Sequence, residues 1–110
     1  MSDSLTLDEL AVPLRALRLL AADFGYLPAP DVDVTSIYPN RLRLIFHRGG
    51  LAGFEAWREA LGIAPDAVRH STQGEGGRTR VLRADAQCAG AELELVGYGD
   101  VPALASVGAA

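Results

Sequence analysis

The chain contains no lysine; all ten of its basic residues are arginine, set in an alanine-rich background. That excludes a phosphate-gripping GxxxxGK[ST] loop, which needs a lysine to reach the phosphates. The all-arginine set reads as the codon usage of a GC-rich bacterial genome. It also offers planar, bidentate donors to any carboxylate or phosphate it meets. Cysteine is nearly missing as well. Cys88 stands alone, which excludes an internal disulfide and a thiolate-rich zinc site. No apolar run approaches the roughly 18 residues of a membrane span. The start, MSDSLTLDEL, lacks the basic stretch of a secretory signal, so a cytoplasmic protein is expected.

The signatures of catalysis are scarce too. GxGxxG, GxSxG, HxH and HExxH do not occur. His47 and His70 are the only histidines, and neither sits at metal-ligand spacing from a second ligand. Asp85, Glu92 and Glu94 fall on one expected strand face, where three acids suit a solvated surface better than an acid–base dyad. The expectation is a protein that is not an enzyme and has no cofactor or metal.

What is present is a patterned, compactly foldable chain. Its 110 residues, 49% hydrophobic and 22% charged, suffice for a single domain with a single core. Residues 1–4 and 102–110 are expected to be mobile ends. The net charge of −4 is unevenly spread. Residues 1–40 carry two arginines against six acids, residues 41–83 eight against four, and residues 84–110 none against four. This fits neighbouring strands that offer each other opposite charges across a sheet; the sharper alternative is an anion-binding face in the middle segment.

Thr6 and Glu9 have the spacing of a capping box, and Leu5 and Leu10 that of a hydrophobic staple. Leu7, Leu10, Leu14, Leu17, Ala21 and Phe24 then recur at steps of three and four, which predicts a helix with one apolar stripe. Pro13 cannot donate a backbone hydrogen bond inside it. Either the helix kinks there, or a first turn ends near Ala11 and Pro13 opens a second helix. Gly25 ends the pattern. Strands are predicted over 33–38 and 41–47, with Pro39-Asn40 at the centre of the turn between them. Leu42, Leu44 and Phe46 should share one face. A second helix over 51–61 should bury Leu51, Phe54, Trp57 and Leu61 and expose Glu55, Arg58 and Glu59, with Gly62 as its left-handed cap.

Three further strands follow, over 68–72, 78–88 and 91–98, the last two closed by Ala89-Gly90. Cys88, Ala86 and Ala84 should then oppose Ala91, Leu93 and Leu95, which makes Cys88 a small core residue. Asp85 should oppose Glu94, a like-charge pair that needs an arginine from another strand beside it. The expected fold is α+β, a two-layer sandwich of order α-β-β-α-β-β-β. Its sheet is antiparallel with about five strands, and both helices lie on one face.

Three functional readings remain open. The first is a small accessory protein that binds another protein or itself, through the leucine stripe at 7–24, an exposed strand edge, or surfaces that Gly97, Gly99 and the glycine-rich turn at 74–77 would permit. The second is a nucleic-acid-binding accessory protein that uses Arg41, Arg43, Arg78, Arg80 and Arg83 on its strands to track a backbone. The third is a small anion or ligand binder at His47-Arg48-Gly49-Gly50, where a strand turns into a helix start.

Overall fold

The computed structural model describes residues 5–47 and 51–100. The chain ends expected to be mobile lie outside that range, as do Arg48, Gly49 and Gly50 of the candidate anion loop. The protein is α+β, with two α-helices and a five-stranded sheet.

A 3-10 turn over Leu7–Leu10 leads directly into helix α1, Ala11–Asp23. Pro13 therefore lies in the first turn of α1, where its missing N–H would have had no intrahelical partner anyway. The capping box does not form. Thr6 offers no side-chain cap; its backbone carbonyl instead accepts the Glu9 N–H at 3.0 Å. Strand β1 covers Asp31–Asp33 and strand β2 Arg41–Phe46. β1 is shorter than the sequence pattern implies and starts earlier, because the Thr35 hydroxyl accepts the Tyr38 N–H at 3.3 Å and draws the chain out of the ladder. A turn does form at Pro39-Asn40, with the Arg41 N–H donating to the Tyr38 carbonyl at 3.0 Å, but it ends the longer connection 34–40 instead of joining two strands directly.

Helix α2 covers Leu51–Ala60. The Ile63 N–H donates to the Arg58 carbonyl and the Gly62 N–H to that of Glu59, with Gly62 at φ 73°. This is the paired bond pattern of a left-handed helix end. Arg58, expected to be exposed, is buried. Its guanidinium turns back along the helix to Glu55 (2.8 and 2.9 Å) and to the Ile63 carbonyl, so it satisfies the C-terminal end of α2.

The hydrogen bonds from Arg58 hold the Glu55 carboxyl below the usual glutamate range, and Glu55 in turn raises Arg58. A carboxylate whose folded pKa is depressed stabilises the fold above its unfolded pKa. That contribution fades as pH falls through the lower, folded value. Glu55→Gln is therefore expected to cost stability near neutral pH, with the gap to the wild type narrowing as the pH falls below the usual glutamate range. Because Glu55 is half-exposed, the gap should be small. Thermal melts of both proteins across that range check it; a gap that does not narrow on acidification contradicts the pairing.

Strands β3 (Arg69–Gln73), β4 (Thr79–Cys88) and β5 (Ala91–Asp100) complete the sheet, in the spatial order β1-β2-β5-β4-β3. β4 and β5 form the hairpin read from the sequence: Ala84 opposes Leu95, Ala86 opposes Leu93, and Cys88 opposes Ala91. Its two-residue turn has φ of 50° at Ala89 and 83° at Gly90, the positive pair that matches strand twist. Cys88 is half-buried and packs against the core.

One pairing corrects the sequence reading. β2 and β5 are parallel, from Arg41 opposite Glu92 to Phe46 opposite Gly97, so the sheet is mixed rather than purely antiparallel. The chain leaves β2 through α2, β3 and β4 before β5 returns beside it, and so long a crossover permits parallel alignment. β5 becomes the central strand; Leu93, Leu95 and Val96 are all buried.

Both helices meet the sheet through the side that carries Leu42, Leu44, Phe46, Leu93 and Leu95. Gly97 and Gly99, read as free to permit a partner, are instead occupied within the fold. A Cβ at Gly97 would fall 2.9 Å from Cβ of Phe54, and one at Gly99 3.0 Å from Leu51. The two glycines let α2 sit down on β5. No helix among the described residues is long and apolar enough to cross a membrane.

Candidate functional site

The sheet face away from the helices carries most of the charge, and there charge is matched by charge. Arg43 on β2 donates from Nε to Oε1 of Glu94 on β5 at 2.8 Å, and its Nη1 lies 3.9 Å from Asp33 on β1. Arg69 on β3 reaches Asp85 at 2.9 Å and the other oxygen of Glu94 at 3.9 Å. The like-charge neighbours Asp85 and Glu94 are thus bracketed by arginines from two other strands, as the sequence required. These pairs run across the sheet from one edge to the other. They make the face a closed charge ladder, with little unbalanced charge to present to an anion.

The candidate nucleic-acid arginines are scattered by the same geometry. Arg43 is engaged in the ladder, and Arg41 lies over the Tyr38 ring with its guanidinium carbon 4.3 Å from the centroid. Arg83 stands opposite Arg69 and Val96 on the ladder face. Arg80 opposes Gly99 and so belongs to the helix-bearing face. Arg78 is exposed just before β4. Arg41 pairs beside Glu92 at the start of β5, whereas Arg80 pairs beside Gly99 near its end. The five do not gather into one strip.

Of the candidate anion loop, His47 is described. Its ring stacks on Tyr98 with centroids 5.1 Å apart and planes within 3°, and Nε2 lies 3.7 Å from Asp31. Among the described residues no three His, Cys, Asp or Glu side chains stand close enough together to hold a metal ion.

An unusual surface lies on α1 and the 3-10 turn before it, and here the structure bears out only part of the predicted stripe. The buried residues of α1 are Pro13, Ala16 and Leu20, with Val12, Leu17 and Phe24 partly covered. The stripe read from spacing is split: Leu17 and Phe24 pack against the core, whereas Leu7, Leu14 and Ala21 turn outward. Leu7 is 73% exposed and Leu14 38%, and Ala11 and Ala21 are exposed as well. Apart from Arg15, Arg18 and Asp23, every residue of α1 is apolar. A helix that is apolar nearly all round normally has neighbours on more than one side. Here only one side meets the sheet. A shallow groove of about 390 Å³ runs along the outer side, lined by Leu7, Asp8, Ala11, Leu14, Arg15 and Arg18.

Spacing alone marks the leucine stripe but cannot tell that the core takes only Leu17 and Phe24 from it and adds Pro13, Ala16 and Leu20. The available signal was composition. Ala16 and Leu20 complete a second apolar stripe, so α1 holds more apolar surface than a single contact can cover. A second exposed apolar group, Tyr26, Val32, Ile37 and Tyr38, lies on and beside β1.

No protein-family model, curated protein or solved structure matches the chain. The functional reading therefore rests on the chain's own geometry.

Proposed function

We propose that the protein is a non-enzymatic interaction module that receives another polypeptide on the outer face of α1. The observation that carries this reading is the exposure of Leu7 and Leu14 along a helix whose other side already supplies the core. Contiguous leucines rimmed by charged side chains are the composition of a helix-in-groove or helix-on-helix contact. The two-layer arrangement supports the same reading, because both helices sit on one side of the sheet and α1 presents its free face outward from it. The ion pairs across the opposite sheet face favour a structural role for that surface.

The test compares the wild type with a Leu7→Ser, Leu14→Ser double variant. Leu7 faces solvent, so its change is expected to alter folding stability by no more than about 0.5 kcal/mol. Leu14 is 38% exposed and partly covered, so its change is expected to cost about 1 kcal/mol, which circular dichroism melts of the variant check. Sedimentation is followed for the purified chain and for the chain in extract of its own host. The expected result is an assembly larger than one chain in at least one of the two, lost in the double variant. A lone chain in both settings, or an assembly that ignores the two serines, would falsify the proposal.

A further inference from the structure

We infer that the occupant of this face is a second copy of this chain, its own 3-10 turn and start of α1 laid antiparallel across the first about a two-fold axis at Ala11, where the turn meets the helix. This rests on the interaction reading above and names its partner. Three features of the groove share one centre. Ala11, the smallest side chain lining it, is the first residue of α1 and lies between Leu7 and Leu14 in the chain, and a small residue at a crossing point permits close approach of the two chains. Leu7 and Leu14 stand on either side of that point. An antiparallel copy centred there sets Leu7 of one chain beside Leu14 of the other, twice over.

The charges obey the same symmetry. Asp8 lies on the N-terminal side of Ala11 and Arg15 on the C-terminal side, both exposed. The two-fold axis places Asp8 of each copy beside Arg15 of the other. Neither residue belongs to any ion pair among the described residues, although arginines and acids on the sheet are paired. A parallel copy would instead set Asp8 against Asp8 and Arg15 against Arg15. The face is self-complementary in one orientation and self-repelling in the other, which is the condition for a closed two-fold dimer.

Charge exchange tests this without touching the core. Analytical ultracentrifugation of the purified wild type over a dilution series should show twice the chain mass at high concentration, with dissociation on dilution. Asp8→Arg and Arg15→Asp, each alone, turn both rim contacts repulsive and should raise the dissociation constant about tenfold or more. Mixed one to one, the two variants should dimerise with each other, because every rim contact then joins an arginine to an aspartate. Circular dichroism melts confirm that each variant is folded. A wild type that stays single at every concentration overturns the self-association. If it nevertheless joins a larger assembly in host extract through Leu7 and Leu14, the interaction module survives and only its partner changes. A dimer indifferent to both charge variants overturns the antiparallel α1 geometry.

Discussion

Replacing Phe54 with alanine is expected to lower the stability of the fold by about 3–5 kcal/mol. Phe54 has no exposed surface, and it fills the space between α2 and the central strand β5 directly over Gly97. Truncation opens a cavity that the helix can close only by moving onto the glycine. Gly97→Ala, which pushes a methyl group to 2.9 Å from Cβ of Phe54, is expected to cost about 1–3 kcal/mol through overpacking. In the double variant the ring atoms at 3.1 Å are gone while the Cβ at 2.9 Å remains, so only part of the crowding is relieved and the combined loss should fall short of the sum by a fraction of the Gly97→Ala cost. Urea unfolding of the four proteins measures the coupling. Strict additivity would mean that α2 and β5 do not touch in this way.

The second large effect is expected at Trp57. Its ring centroid lies 6.1 Å from that of Phe24 and 6.4 Å from that of Phe46, and its Nε1–H donates to the Pro28 carbonyl at 2.7 Å. One side chain thereby joins α2 to the end of α1, to β2 and to the segment before β1. Trp57→Ala should cost about 3–5 kcal/mol. Trp57→Phe keeps most of the apolar contact and loses the hydrogen bond. Because Pro28 is exposed, water can take over its carbonyl, so that loss should stay near about 1 kcal/mol. Circular dichroism serves as the probe, since Trp57 is the only tryptophan. Equal losses in the two variants would show that the hydrogen bond, not the ring packing, ties these elements together.

These expectations contrast with those for Leu7 and Leu14. A core leucine should be costly to remove, whereas Leu7 should be nearly neutral to folding, the partly covered Leu14 should cost little, and both should be decisive for association. That contrast separates the inner side of α1, which belongs to the fold, from the outer side, which belongs to the partner.

Much of this organisation was legible in the residues alone. Alternation set the β4–β5 register down to Cys88 opposite Ala91, because a strand has a period of two and a two-residue turn leaves no slack. The same alternation placed Leu42, Leu44 and Phe46 on one face. It also foretold that Asp85 and Glu94 would need arginines beside them, which Arg43 and Arg69 supply. Gly62 marked the end of α2 because a left-handed residue is needed there.

Other features depended on partners distant in sequence. The parallel alignment of β2 with β5 joins segments about fifty residues apart, and no local pattern encodes which strand will lie beside which. Arg58 reads as exposed by helical spacing, yet its guanidinium is drawn inward by the Ile63 carbonyl beyond the helix end. Gly97 and Gly99 resemble free flexible positions until α2 is set upon them.

By itself, the sequence determined which stretches become helices and strands, which face of each strand is apolar, and that α1 carries more apolar surface than one contact needs. Those are local consequences of side-chain period and turn chemistry. Only the tertiary structure decided which stripe of α1 the sheet would cover. That choice depends on how Pro13, Ala16 and Leu20 fit against β2 and β5, an energy that exists only once the layers meet. It left Leu7 and Leu14 facing water, and the proposed function rests on that outcome.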